Sequence, residues 1–512
     1  MTGCLPVTRT TGKAIPVPET PLFVIITHWF NVFFLLLIAR SGVEVLSAFP
    51  KLYWQSDCPP GREWARFSTK MFGADSRHTW SGENEEESWS PLVALPGRKN
   101  LGLGRHWHFG TVPFWVATGL VYIVMLFVSG WWHYMVPTHW RIIPDSIRAV
   151  GTYLHFDLPA KIAGEPYEPA QKLSYFLVVF LLAPFQIATG AAMSPAVLSR
   201  FPWYGKLFGG KQGARSLHFL GLVAFALFVV LHTFMVIIHG FPKEIAIILF
   251  GSDRGNRAVA LAAGLGTIVV ILFVHLLITM FSLRYKRATQ HALGTVVRPL
   301  ERFLSRSAAS RQHYPRRKIS PYFRVNGYPP ADPAYDAMVA NGFTDYRLSV
   351  GGLVQRPVTL SLDELQALGV QSQTTEHNCI QGWTGIARWS GVPLSRLLDL
   401  VQPLPQARFI VFYAMDDKGL TDEHPDRYGY FYGSLDIGLA SDPQTILAVG
   451  MNGVPLSAEH GAPVRLRAET QLGFKMVKWL CGVEFVDDLS GIGQGQGGWR
   501  EDFQHYSTNA GI

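Results

Sequence analysis

The stretch from Ser216 to Gly240, SLHFLGLVAFALFVVLHTFMVIIHG, places two imidazoles in an otherwise apolar run. His218 and His232 are fourteen residues apart, about 40° short of four helical turns, so both fall on one face of a helix. At about 1.5 Å per residue they lie roughly 21 Å apart along the axis, one near each edge of a bilayer's hydrocarbon core. Ionisable side chains inside a membrane are costly and mark function by default. Two of them stacked on one face suit a helix that gives one axial ligand to each of two haems. The competing reading is two polar side chains bonded to neighbouring helices.

Five apolar runs must position these residues: about 22–39, 107–131, 173–193, 216–240 and 258–281. Consecutive spans alternate in direction. His28 is early in the first span and His232 late in the fourth, so both belong on the side of the N-terminus. His108 is early in the second span and His218 early in the fourth, so both belong on the opposite side. The four sort into two facing pairs, the arrangement that bis-histidine haem needs. His106, two residues from His108, competes with it; His106, His133, His239 and His275 otherwise read as interfacial or structural.

Composition agrees with a chain in two parts. It has 512 residues, 48% of them hydrophobic, and a formal charge of +8. The long apolar runs lie within residues 1–285, an all-α transmembrane bundle with a soluble insertion at about 40–103 that carries Glu85, Glu86 and Glu87. Residues 286–318 are basic and poor in apolar periodicity, and read as a tether along lipid head groups, with no need for nucleic acid. The first apolar run is long and lacks a small-residue cleavage site, so no cleavable signal peptide is expected. The four cysteines, Cys4, Cys58, Cys379 and Cys481, form no CxxC pattern.

Residues 319–512 read as a soluble α/β (α+β) domain. Strand-like runs such as YRLSV, ARFIVFYAM, QTILAVGM, APVRLRA and KWLCGVEFV alternate with short helices at 361–368 and 394–400, the first opened by a Ser361/Glu364 capping box. Cys379 lies in TEHNCIQGWTGIARWSGVPL, near His377, Trp383 and Arg388. Positive neighbours favour a thiolate, although most buried cysteines are small core residues. Cys481, in a strand-like run without a polar cluster, reads as structural.

Two resemblances follow from these motifs. The early histidine of span one, GRHWH at the start of span two and the histidines of span four resemble the bacterial di-haem cytochrome b family, the membrane subunits of nickel–iron hydrogenases and formate dehydrogenases. RSGVEVLSAFPKLYW, QKLSYF and LFGGKQGARSLHF resemble the branch often paired with a molybdenum oxidoreductase. This resemblance covers about residues 20–250; the fifth span lies outside it. It implies two haems b with His28, His108, His218 and His232 as axial ligands.

Residues 320–500 resemble the sulfite oxidase-type molybdopterin domain, especially its methionine sulfoxide reductase branch. The matches are the Cys379 segment, then NGVPL, HGAPVRL and QLGFKMVKW in order. The resemblance implies Cys379 as molybdenum ligand and catalytic residue, with His377, His460, Arg465, Gly473, Phe474 and Lys475 around the pterin. His460 stands where that branch has an asparagine. A soft thiolate beside a dithiolene suits molybdenum, and basic side chains suit the pterin phosphate.

The expected protein is a bacterial inner-membrane oxidoreductase. It passes electrons from quinol through two haems to molybdenum and reduces an S-oxide or similar substrate. The alternatives are a sulfite-like dehydrogenase feeding quinone and a non-catalytic relay or docking protein. Lysine and arginine counts argue for a cytoplasmic molybdenum domain. The resemblance, five spans and an N-terminus inside argue for a periplasmic one, which is the preferred expectation.

Overall fold

The computed structural model describes residues 17–70, 81–155, 157–159, 162, 164–305, 311–418, 429–508 and 510–511. The helices that matter here are α1 (Leu22–Ser47), α2 (Leu101–Val128), α3 (Ile142–Leu154), α4 (Pro169–Ala192), α5 (Gly210–Ile238), α6 (Phe241–Phe250), α7 (Arg257–Arg284) and α8 (Lys286–Ser305). Five of them, α1, α2, α4, α5 and α7, are long and apolar enough to cross a membrane. Leu177–Leu182 of α4 is π-helical.

Helix ends lie beyond the apolar runs. α1 continues to Ser47 although apolar character stops at Arg40, because its polar last turns are satisfied locally. Glu44 Oε1 accepts from the Asn100 amide at 2.6 Å, and the Arg40 guanidinium donates to Thr279 Oγ1 at 2.8 Å. The polar switch at Arg40 therefore marks a change of surroundings and not the end of the helix. α6 is bracketed by Gly240 and Gly251, at φ +102° and +82°, a left-handed backbone that interrupts helix where side chains are disfavoured.

The basic segment after the last span departs from expectation. Lys286–Ser305 is helical, with Thr289, Leu293, Val296 and Val297 on its less exposed side at helical spacing. A Cβ on Gly110 would lie 3.1 Å from Leu293 Cδ2, so α8 packs directly on α2. Arg287 donates to the Asp502 carbonyl at 2.8 Å and Gln290 to the Tyr506 carbonyl at 2.9 Å. Further on, the Tyr314 amide donates to the Thr374 carbonyl at 3.1 Å. These residues are held by protein, whatever they also present to lipid.

The C-terminal domain holds two five-stranded sheets. Its strands are β1 (Leu348–Gly352), β2 (Val358–Leu360), β3 (Gln371–Asn378), β4 (Thr384–Pro393), β5 (Phe409–Asp417), β6 (Tyr430–Asp436), β7 (Thr445–Met451), β8 (Val454–Pro455), β9 (Arg465–Ala468) and β10 (Leu480–Val486). One sheet runs β8-β7-β4-β3, with β9 also paired to β7; the other runs β2-β1-β10-β5-β6, with β10 parallel to β1. Leu348, Val350, Ile410, Phe412, Leu447, Leu466, Val483 and Phe485 alternate inward and form the shared core.

Contacts divide the chain into two compact units, differently from a cut at residue 285. One unit is Met1–Leu36, Val112–Ile187 and Gly221–His275; the other is Leu37–Thr111, Ala188–Leu220 and Leu276–Ile512. The second unit thus takes in the insertion, parts of all five spanning helices and the whole soluble domain.

Candidate functional site

Each compact unit holds one histidine pair. In the first, the ring centroids of His28 (α1) and His232 (α5) are 6.3 Å apart. In the second, those of His108 (α2) and His218 (α5) are also 6.3 Å apart. A metal–imidazole bond is about 2 Å, so each gap admits one metal ion between two ring nitrogens once the ring radii are added. Glycines leave room for two of the rings. A Cβ on Gly42 would come within 3.5 Å of His108 Cε1, and one on Gly190 within 3.3 Å of His218 Cε1.

The outer ring nitrogens are held unequally. His108 Nδ1 lies 3.3 Å from the Ile38 carbonyl and 3.3 Å from Ser41 Oγ, and His218 Nδ1 lies 3.1 Å from Thr189 Oγ1. A proton on Nδ1 facing the Ile38 carbonyl leaves Nε2 as the ligating atom of His108. In the other pair, Tyr175 OH is 3.5 Å from His232 Nδ1, and His28 Nδ1 is buried without a hydrogen-bond partner among the described residues. Tyr175 and Thr189 are themselves fourteen residues apart on α4, matching the spacing of the histidines they meet.

The remaining histidines point elsewhere. His106 Nδ1 meets the Gly102 carbonyl at 2.8 Å and its Nε2 meets Ser507 Oγ at 3.3 Å, so His108, not His106, faces His218. His275 is buried edge-on to Phe33, and His133 stacks on Trp132. His239 bonds to Tyr153.

Cys379 sits at the tip of the β3–β4 hairpin. Asn378 pairs with Thr384, and the loop closes by the Cys379 amide donating to the Trp383 carbonyl at 3.1 Å and the Gly382 amide to the Cys379 carbonyl at 3.1 Å. Gly382, at φ +118°, allows the turn. The sulfur opens onto a cleft of about 630 Å³ lined also by His377, His460, Arg465, Gly473 and Phe474. A Cβ on Gly473 would lie 2.3 Å from the His377 ring, so glycine is what lets the two segments meet. Lys475 is not in the lining: its ammonium is buried 2.5 Å from Glu501 Oε1.

Several polar groups that sequence reasoning passed over face the cleft, among them Asn326, Lys478, Arg500 and the carboxylates Asp416 and Glu459. Asn326 Nδ2 is 4.0 Å from Cys379 Sγ, and its Oδ1 is buried without a partner. Lys478 stands three residues past Lys475 in the same KMVKW motif, the one local signal available. Its Nζ donates to the Glu459 carbonyl at 2.8 Å.

Cations outnumber carboxylates in the cleft lining. Burial, reinforced by Arg467, brings Arg465 down to about 9, and burial with Arg465 nearby lowers Lys478 well below its ordinary value. Asp416 and Glu83 oppose that shift at Lys478 and Glu469 opposes it at Arg465, and Arg465 Nε has no hydrogen-bond partner among the described residues. Burial and the guanidiniums of Arg467 and Arg465 likewise keep His377 neutral; Arg467 NH1 is 2.8 Å from its Nδ1. His460 falls to about 4 through burial and Arg465, so it too is neutral and has one ring N–H to donate. Burial pushes the Cys379 thiol up to about 11, so a cation at the sulfur is needed to hold the thiolate. An anionic group with a thiolate-bound metal fits these residues: it would satisfy the orphaned Arg465 and Asn326 atoms and offset the crowded cations.

The insertion walls this site. Glu83 pairs with Arg500, and Glu85 with both Arg324 and, at 3.0 Å, Lys51. Arg500 holds the Glu83 carboxyl down at about 2. Glu86 accepts from Gln381 Nε2 at 2.7 Å, and Gln381 Oε1 is 3.5 Å from Cys379 Sγ. The first turn of α5 clamps the same hairpin tip. Lys211 Nζ donates to Asn378 Oδ1 at 3.0 Å, and Gln212 Nε2 donates to the Gly382 carbonyl at 2.8 Å and to Thr384 Oγ1 at 3.1 Å.

Comparison with known proteins matches both halves. Residues 19–251 match the prokaryotic cytochrome b561 family model, and residues 336–491 the oxidoreductase molybdopterin binding domain. A protein of Azospira oryzae, provisionally named protein-methionine-sulfoxide reductase subunit YedZ1, is 35% identical over 33% of this chain and 57% of its own length. The protein-methionine-sulfoxide reductase catalytic subunit MsrP of Campylobacter jejuni is 29% identical over 28% of this chain and 50% of its own. The chain thus spans about half the length of the curated relatives it matches. The sulfane dehydrogenase SoxCD structure from Paracoccus pantotrophus aligns at 24% identity and TM-score 0.25, over 28% of this chain and 39% of that one, too loosely to bear on the fold.

Proposed function

We propose that this chain is a membrane oxidoreductase that takes electrons from a quinol, passes them through two b haems, and reduces an S-oxide at a molybdenum–molybdopterin site. The observation that carries this reading is the placing of the His108–His218 pair and the Cys379 cleft in one compact unit, tied together by α5. His218 lies six residues past Gln212 on one helix, about 9 Å along its axis, and Gln212 bonds the loop that bears Cys379. The names of the relatives favour an S-oxide as oxygen donor over a dehydrogenase substrate.

His28 with His232, and His108 with His218, would hold the haem irons. Cys379 would hold molybdenum, while Arg465, His460, Asn326 and Lys478 would bind the anionic pterin. When bound, such a cofactor supplies two-electron oxygen-atom transfer. The chain's own part is to exclude water, to present neutral donors at His377 and His460, and to gather positive charge where an S-oxide's polar oxygen would lie. With five spans and an N-terminus inside, the cleft works on the periplasmic face.

The test uses purified full-length protein with its haems reduced. Methionine sulfoxide should reoxidise them in the wild type and not in Cys379→Ser, whose haem spectrum should be unchanged. Equal reoxidation in both would remove Cys379 from the reaction, and molybdenum-free wild-type protein would leave a relay without catalysis. Alkaline phosphatase fused after Ile512 should be active; an inactive phosphatase with a fluorescent protein lit at the same site would put the domain in the cytoplasm.

A further inference from the structure

His239 is seven residues past His232, nearly two turns, so it continues the same face of α5 about 10 Å beyond the haem-pair histidine. Around it stand two other titratable groups that no step described above uses. Tyr153 of α3 donates to the Glu168 carboxylate, and its hydroxyl is 3.1 Å from His239 Nε2. Glu168 Oε1 is 3.5 Å from the same nitrogen. Glu168 is the residue before α4, yet its side chain does not cap that helix; it is buried and turned to Tyr153 and His239. From Glu168 the polar line runs up α4 at helical spacing: Gln171 Nε2 donates to Tyr175 OH at 2.9 Å, and Tyr175 OH lies 3.5 Å from His232 Nδ1.

A buried carboxylate, a phenol and a half-buried imidazole bonded to one another at the end of an apolar helix are expensive to assemble. We propose that Tyr153, Glu168 and His239 form the quinol-oxidising site, with His239 and Glu168 as proton acceptors. This deepens the quinol reading above and rests on it. A quinol releases two electrons and two protons in becoming quinone. His28 and His232 would hold the haem iron that accepts those electrons one at a time. One O–H proton passes to His239 Nε2 and the other to the Glu168 carboxylate, with Tyr153 orienting that carboxylate, and both go on to water at the membrane edge. The charged groups about His239 are Tyr153 from α3, Glu168 ahead of α4, and the Lys243–Glu244 pair, 3.1 Å apart, on α6.

The experiment follows haem reduction by reduced decyl-ubiquinone in the full-length, haem-loaded protein, without sulfoxide, by stopped-flow absorbance. Glu168→Gln and His239→Gln should each slow quinol-driven reduction at least tenfold, while reduction by dithionite and the haem spectra stay as in the wild type. Variants that match the wild type in the rate of quinol-driven reduction would overturn the site while leaving the quinol reading intact. A wild-type protein that dithionite reduces and quinol does not would overturn both.

Discussion

The two histidine pairs share a gap and differ in what stands behind each ring. Both present imidazole centroids 6.3 Å apart. In the His108–His218 pair, each outer nitrogen has a partner within 3.3 Å, from Ile38 and Ser41 on one side and Thr189 on the other. In the His28–His232 pair, one outer nitrogen has a tyrosine at 3.5 Å and the other has none among the described residues. If both pairs hold haem as proposed, ligation depends on span spacing, which repeats, and tuning on neighbours, which do not. A hydrogen bond accepted from Nδ1–H makes the imidazole a stronger donor and favours ferric iron. The His108–His218 haem should have the lower midpoint potential of the two.

The largest effect separates the pairs outright. His218→Ala should remove one haem and leave the other, halving the haem recovered per chain in a pyridine haemochromogen assay. His28→Ala should remove the complementary one. Identical residual spectra and potentials in the two variants would mean that the pairs are not distinct sites. A smaller effect tests the tuning. Thr189→Val should raise one midpoint potential by about 40 mV, the equivalent of about 1 kcal/mol for one hydrogen bond in a one-electron couple. Tyr175→Phe should move the other haem less, since its contact is longer. The smallest shift belongs to Ser41→Ala, under about 20 mV, because the Ile38 carbonyl remains on the same nitrogen. Redox titration followed at the α-band reads all three, and a larger shift for Tyr175→Phe than for Thr189→Val would reverse the assignment of tighter tuning.

Much of this was legible in the chain. Alternating span direction was enough to pair the four histidines, because helices of fixed rise leave little freedom in depth. The choice between His106 and His108 needed the coordinates, since two residues differ by 200° around a helix and only a neighbour's position says which face looks inward. The cleft was legible in its motifs but not in its cations. Gly473–Lys475 is a single short turn, where no periodicity tells that Lys475 turns to Glu501 and Lys478 to the cleft. The role of Glu83, Glu85 and Glu86 was hidden for another reason. Their partners Arg500, Arg324 and Gln381 lie hundreds of residues away, and no local rule links them. The helix after the last span was not legible in the sequence because its charges masked an apolar face that packs on α2.

The clamp at the hairpin tip also bears on the stability of the soluble half. Asn378 Oδ1 and the Gly382 carbonyl, beside the cysteine, have Lys211 and Gln212 as partners, and Arg324 and Arg500 have carboxylates from the insertion. A buried polar group left without its partner costs on the order of 1–3 kcal/mol. Residues 319–512 made alone would carry several such debts around Cys379. Those residues made alone should therefore be less stable around Cys379 than in the full chain.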